Sequence, residues 1–430
     1  MKDFEVSIWC VIYNHRDYLK DAIEGFLNQK TEYNFHIYLH DDASDDGTSE
    51  IVKDMAQKYP DKITAIIQKD NLYSKHPEAG MGQYPYIKEY VRGKYFALCE
   101  GDDFWIDPNK LQIQVDYMEN HPECIMTAHN GIIYNQSNGN IRTMSPYDKE
   151  QDISIEEAVM WYKGNIPTAS IILRTEAYFR EGIFNNSCQS GDWIIQLNCL
   201  TQGKIHYFDR VMSCYRANIP GSYTVTKWGD IKKRIPIRVS QILFLITYDI
   251  YMNKEYHNII KRKINQMVEY IFIDAGKFTN EEITDIFNGI DYFHENMSDE
   301  QHEKYKKYIQ DIRDVVLKYK DTHYCSQKTK DIIDKSKKVY IFGAGYYGQI
   351  MLSKLLYMGI EVSGVIVSSG QTHVDMLNNI RVYELHEVID ELSGSCVILA
   401  GNFKIRNEIR ENLDRLQQVD IVEEVYDFDF

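Results

Sequence analysis

The first hundred residues repeat one pattern four times: a short apolar run rich in β-branched and aromatic residues, then a stretch with apolar positions at helical spacing. Residues 5–12 (Glu-Val-Ser-Ile-Trp-Cys-Val-Ile) read as a strand, and Leu19, Ile23, Phe26 and Leu27 share one face of a helix over about 17–29. Strand 35–39, helix 49–59 and strand 63–67 follow, then a loop around Gly80 and Gly82, helix 84–91 and strand 95–99. Such alternation specifies parallel strands joined by helical crossovers. Sheets of this kind bind ligands beyond the carboxyl ends of their strands. Three polar loops leave those ends, Tyr13-Asn14, Asp41-Asp42 and Glu100-Gly101-Asp102-Asp103, and they are expected to converge.

The third loop carries the strongest chemical signal. Three carboxylates within four residues, at the tip of an apolar strand, raise one another's pKa. A cation among them relieves the repulsion, and hard divalent ions such as Mg²⁺ and Mn²⁺ take oxygen ligands of this kind. Gly101 is expected to let the backbone turn tightly. A solvated acidic turn would need neither the buried strand before it nor Phe104-Trp105 after it.

Beyond Pro108 the pattern loosens into helix 110–120, strand 125–134, a hairpin turn at Asn138-Gly139-Asn140, helix 155–161, strand 168–173, helix 192–201 and strand 204–215. A mixed sheet therefore completes a parallel one, and a first domain spans about residues 1–225. Residues 226–335 hold few glycines and a single proline, Pro236, and read as a helical linker or bundle. Its clusters Lys232-Lys233-Arg234 and Lys261-Arg262-Lys263 fit solvated helix faces better than a membrane-binding surface. Residues 336–430 return to an α/β pattern, with strands at 338–342, 362–367, 380–382, 396–400 and 421–425 and a helix at 404–416. Gly343, Gly345 and Gly348 form a G-x-G-x-x-G between strand and helix, where a dinucleotide loop belongs. The second strand ends in Val367-Ser368-Ser369-Gly370, without the acidic residue that would hold a ribose, so these glycines are expected to serve packing rather than NAD(P) binding.

With 64 acidic and 48 basic side chains the net charge is −16, which excludes general nucleic-acid binding. A phosphate-bearing ligand would have to meet a locally reversed charge, as a metal provides. No apolar run approaches membrane-spanning length; the longest candidate, 242–247, is far shorter. Eight cysteines without a C-x-x-C pair read as reduced core thiols in a cytoplasmic protein. Oligomeric state has no sequence signature here.

The N-terminal section, over about residues 1–225, resembles the family 2 glycosyltransferases, inverting enzymes of GT-A fold that use nucleotide-diphosphate sugars. The resemblance rests on Val6-Ser7-Ile8 through Tyr13-Asn14, the loop from Asp41 to Thr48, and Glu100-Gly101-Asp102-Asp103-Phe104-Trp105 with Asp107-Pro108. Gly191-Asp192-Trp193 and Tyr215-Arg216 followed by Gly221-Ser222 complete it. The C-terminal section is more distantly similar to Rossmann-like domains attached to some sugar-modifying enzymes. The resemblance implies that Val11, Tyr13, Asn14 and Asp42 hold the nucleotide, with Asp41 supporting the loop. It places Glu100 and Asp102 in the D-x-D region, Glu100 standing where the family has Asp, and makes Asp102 and Asp103 the ligands of a Mn or Mg ion. Asp192 matches the catalytic base; as a residue it is equally an N-terminal helix group with Trp193 as core. His129, Trp193 and Arg216 are secondary candidates, Arg216 facing either phosphate or a carboxylate. The implied activity is transfer of a sugar to a glycan or lipid-linked glycan acceptor of a bacterial surface polysaccharide, at the cytoplasmic side and in peripheral contact with the inner membrane face. An inactive nucleotide-sugar or dinucleotide sensor is the alternative, against which all the carboxylates, Asp192 included, are present. A nucleotidyltransferase would show a basic glycine-rich loop near the N-terminus, which is missing.

Overall fold

The opening alternation forms as expected in the computed structural model, which describes the chain except residues 1–3, 76–83, 162–165, 181–187, 291–297, 320–326, 345, 369–374, 401–418 and 423–430. In order these elements are β1 (Val6–Ile12), α1 (Leu19–Leu27), β2 (Phe35–Asp41), α2 (Thr48–Lys58), β3 (Ile63–Ile67), α3 (Leu72–Lys75), α4 (Tyr84–Tyr90) and β4 (Tyr95–Glu100). The strands lie in the order β3-β2-β1-β4, all parallel. Every residue of β2, and all but one in each of β1 and β4, is buried, as a parallel sheet covered on both faces requires. Helix α1 lays Leu19, Ala22, Ile23 and Phe26 on this sheet, and the Phe26 ring meets Trp105 edge-on at 4.8 Å. Complete burial of such a side chain contributes roughly 1.5–3 kcal/mol.

The sheet then changes character. Next come β5 (Phe104–Trp105), α5 (Lys110–Asn120), β6 (Cys124–Asn135), β7 (Ile141–Thr143), β8 (Gln151–Asp152), α6 (Ile155–Met160), β9 (Ile172–Arg174), α7 (Thr175–Phe179), α8 (Gly191–Leu200) and β10 (Lys204–Ala217). The order continues β4-β9-β6-β10-β5, with β9 antiparallel to both neighbours and β6 parallel to β10. The β6–β7 hairpin closes through Gly139 at φ 74°, a backbone angle that favours glycine. Where sequence predicts a strand over 168–173, Thr168–Ser170 form a 3₁₀ turn instead, because the Ser170 N–H and hydroxyl both donate to the Pro167 carbonyl, at 2.8 and 2.7 Å. The turn presents the Ala169 carbonyl to Trp105 Nε1 at 2.9 Å.

The chain divides after Tyr256 into two units, and α9 (Ile231–Tyr251) belongs to the first. The apolar run 242–245 is buried within α9, and among the described residues no helix is long and apolar enough to cross a membrane. The second unit holds α10 (His257–Ala275), α11 (Asn280–Asn288), α12 (Asp299–Tyr319), α13 (Gln327–Lys335), β11 (Val339–Phe342), α14 (Tyr346–Tyr357), β12 (Gly364–Val367), β13 (Met376–Leu377), β14 (Ile380–Glu384), α15 (Leu385–Val388), β15 (Cys396–Leu399) and β16 (Asp420–Val422). Its sheet runs β13-β14-β12-β11-β15-β16, parallel except for the β13–β14 hairpin. The helix expected over 404–416 lies outside the described residues. The described cysteines are buried and form no disulfide.

Candidate active site

Strand register brings the polar tips together. Asp41 pairs across from Ile12 on one side of β1, and Glu100 from Val11 on the other. The Asp42 and Gly101 N–H groups donate to the Ile12 and Val11 carbonyls at 2.9 and 2.8 Å, so both loops leave β1 at the same level. Asp41 is fully buried and builds its own loop: Oδ1 accepts from the Ser44 hydroxyl at 2.5 Å and its N–H at 3.2 Å, and Oδ2 accepts from the Ser49 hydroxyl. Asn14, at φ 57°, locks the same loop by donating its N–H to Ser44 Oγ and accepting from the Asp45 N–H. Asp42 accepts from the Leu72 and Tyr73 N–H groups at 2.7 and 2.9 Å, which fixes α3, a turn the sequence reading missed, against the tip of β2. Tyr13 is exposed at the end of β1, its ring open to a stacking partner.

The acidic loop after β4 sorts its carboxylates by direction. Glu100 Oε2 is enclosed with no hydrogen-bond partner, and burial, with repulsion from Asp102 and more weakly from Asp192, pushes its carboxyl up to about 7. Asp103 turns inward, where Oδ1 accepts the Arg216 N–H at 2.9 Å; burial and the charges of Asp102 and Glu100 hold it well above the usual carboxylate range. Asp102 is partly buried, its carbonyl accepting from Arg216 Nη1 at 2.7 Å and its Oδ2 lying 3.8 Å from His15 Nε2. Arg216 pairs with Asp21 and stacks on Phe104 at 4.3 Å and Tyr18 at 5.4 Å, so its partner is a carboxylate. His15 was not singled out from sequence, yet it explains Gly101: a Cβ there would lie 2.9 Å from His15 Nδ1. Close approach, rather than a tight turn, requires that glycine.

Asp192 occupies the first turn of α8, its Oδ1 accepting from the Trp193 N–H at 2.8 Å. The Trp193 ring is wholly buried and donates to the Ala158 carbonyl at 2.7 Å, which ties α8 to α6. Asp192 acts electrostatically on both Glu100 and Tyr223. The Tyr223 hydroxyl donates to the Gln189 carbonyl just before α8, at 3.4 Å, and its ring meets Tyr73 edge-on at 6.4 Å. Pairwise contacts and charges thus link the Asp42 corner (through Tyr73 and Tyr223), the Glu100–Asp102 pair and Asp192. His129 is enclosed within β6, its Nδ1 2.7 Å from the Asn130 carbonyl, and burial together with nearby Lys110 keeps it neutral. In the second unit, Gly343 sits at φ 114° where a Cβ would lie 2.1 Å from the Ala400 carbonyl, and a Cβ on Gly348 would lie 1.7 Å from the Gly343 carbonyl. Both are packing glycines; Gly345 lies outside the described residues.

The donor set suits a hard ion. Among the described residues no three His, Cys, Asp or Glu side chains gather as a ready metal site. Mg²⁺-type sites, however, use one or two carboxylates and take their other ligands from substrate phosphates and water. The partly buried carboxylate of Asp102 and the unpartnered Oε2 of Glu100 fit that role, whereas one Asp103 oxygen is already committed to Arg216.

Comparison with known proteins agrees with this architecture. Residues 7–179 match the family described as Glycosyl transferase family 2. An uncharacterized protein of Mycobacterium tuberculosis is 29% identical over 219 residues, 50% of this chain and 60% of that protein, so the chain spans less than two thirds of its relative's length. The minor teichoic acid biosynthesis protein GgaB of Bacillus subtilis is 28% identical over 121 residues, 28% of this chain and 12% of that protein. The structure of S. aureus TarS 1-349 in complex with UDP-GlcNAc superposes with a TM-score of 0.51 at 13% identity, covering 74% of this chain and 93% of that one. That likeness establishes a GT-A-type fold.

Proposed function

We propose that the family 2 glycosyltransferase domain formed by residues 7–179, with α8 and β10 completing its cleft, transfers a sugar from a nucleotide-diphosphate donor to an acceptor hydroxyl with inversion at the anomeric carbon. The observation that carries this reading is the meeting of three corners: the tip of β2, the acidic tip of β4, and Asp192 at the start of α8. The nucleoside lies against Tyr13 and the Asp42 corner, with Val11 beneath it and Asp41 and Asn14 holding the loop. Asp192 takes the proton of the acceptor hydroxyl; the oxygen bonds to the anomeric carbon as the bond to the diphosphate breaks and its electron pair leaves with the phosphate. A base of this kind contributes roughly 10²- to 10⁴-fold. A divalent ion held by Asp102 with Glu100 would offset the charge building on the departing diphosphate. The acceptor is a growing glycan of a bacterial surface polysaccharide, a reading supported by the teichoic acid name of one relative. Mass spectrometry of products from a panel of nucleotide sugars, each with Mn²⁺ and with excess chelator, tests the proposal. Metal-dependent release of one nucleoside diphosphate supports it, and no turnover of any donor with Mn²⁺ or Mg²⁺ overturns it.

A further inference from the structure

The cleft is strongly acidic, yet its donor carries two phosphates. Glu100, Asp102 and Asp192 all act there, and Arg216, the cation nearest them in the sequence pattern, is spent on Asp21 and on the Asp102 carbonyl. Besides any ion held by these carboxylates, a side-chain cation at the same cleft would add to the grip on a diphosphate.

Residues after β10 supply one. Thr224–Trp228 form a single π-helical turn, closed by the Gly229 N–H donating to the Thr224 carbonyl at 3.2 Å. Such turns are rare and recur at functional sites. Gly229 is required for it, because a Cβ there would lie 2.3 Å from the Val225 carbonyl. Three contacts fasten this strap and the preceding Tyr223 to neighbouring elements. The Thr224 hydroxyl lies 3.0 Å from the Tyr215 hydroxyl, which senses Asp103, Glu100 and Asp102. The Tyr223 hydroxyl reaches the Gln189 carbonyl ahead of Asp192. Lys227 Nζ lies 5.8 Å from the centre of the Tyr73 ring, on the segment whose N–H groups Asp42 holds. These contacts join the segment before Asp192 to the segment that Asp42 holds. Lys227 is half-buried and has no carboxylate partner among the described residues.

We infer that Lys227, carried on the Thr224–Trp228 strap, binds the donor's diphosphate and holds it as it leaves; this rests on the glycosyltransferase reading above. A lysine ammonium serves phosphate as a point charge, and its position over a tyrosine ring keeps it in place without neutralising it. The lysine and an ion held at the acidic corner would then share the diphosphate's charge.

Calorimetric titration of the full chain with UDP, GDP and dTDP, and with uridine, guanosine and thymidine, in the presence of Mn²⁺, tests the assignment. The parent is expected to bind one diphosphate at least tenfold more tightly than its nucleoside. Lys227→Gln should lose about tenfold in diphosphate affinity and keep the parent's nucleoside affinity, and Lys227→Arg should keep both. Unchanged diphosphate affinity in Lys227→Gln overturns the inference, as does an equal loss for nucleoside and diphosphate, which would mark Lys227 as a brace for the strap. If the parent binds none of the diphosphates, the glycosyltransferase reading itself fails, a result distinct from an unaffected variant of a binding parent.

Discussion

Two sheets in this chain obey the same rule and use it differently. In the N-terminal sheet, the tips of β1, β2 and β4 carry Asn14, Asp42, Glu100 and Asp102, and burial leaves part of that charge unsatisfied. In the C-terminal sheet the tip of β11 carries Gly343, pressed on the Ala400 carbonyl at the end of β15 and on Gly348 of α14. Parallel strands gather their carboxyl ends in both cases. The first sheet fills that position with groups that repel one another. The second fills it with backbone packed as closely as glycine permits. A βα fold thus provides the place for a site, while uncompensated polar groups distinguish an occupied role from a packed one.

The largest effect expected from this contrast lies at the base corner. Asp192→Asn should lower transfer by roughly 10²- to 10⁴-fold while donor affinity stays at the parent value; a parent-like rate would remove the cleft's proton acceptor and with it the distinction between the sheets. At the other tip, Gly343→Ala should destabilise the second unit by about 3 kcal/mol, through positive φ and a clash with Ala400, seen as a lower denaturant midpoint. A stable Gly343→Ala protein would show that the loop has room, and so room for a ligand.

A smaller effect follows pH. His40, stacked on Trp9 at 5.2 Å, has its pKa pulled down to about 4 by burial. An unfolded chain protonates that ring near 6.5, so between these values the unfolded state binds more protons and stability falls as pH drops from about 6.5 toward 4. The loss should reach about 3 kcal/mol, and His40→Phe should flatten that part of the stability–pH curve; an unchanged slope would count against it. Smallest of all, Ser49→Ala removes one donor from buried Asp41 and should cost about 1 kcal/mol in thermal unfolding with transfer unaffected. Loss of transfer there would mean that Asp41 does more than shape its loop.

Much of this was legible in the chain because hydrophobic periodicity is local. The four βα repeats, the face of α1 and the three polar strand exits follow from spacing alone. Directions within the acidic loop did not. Asp102 and Asp103 are adjacent and chemically identical, yet one faces the cleft and the other meets the Arg216 backbone, more than a hundred residues away. Long sequence separation also hid the pairing of Arg216 with Asp21 and the pressure of His15 on Gly101. The π turn at Thr224–Trp228 left no periodic trace, since a single turn is too short to show one. The contrast between the glycine loop and the acidic loop was readable in part, through the missing acidic residue after Val367, and the close packing of Gly343 and Gly348 supplies its physical reason.

The clamp around Arg216 has a consequence for timing. Its guanidinium lies against two aromatic rings and grips the Asp102 carbonyl, while its own N–H holds Asp103, which braces the loop between β4 and β5. Encounter with the nucleotide then need not wait for a slow rearrangement at that corner. Association should rise linearly with donor concentration, with no plateau from a preceding isomerisation, and Arg216→Met should introduce one.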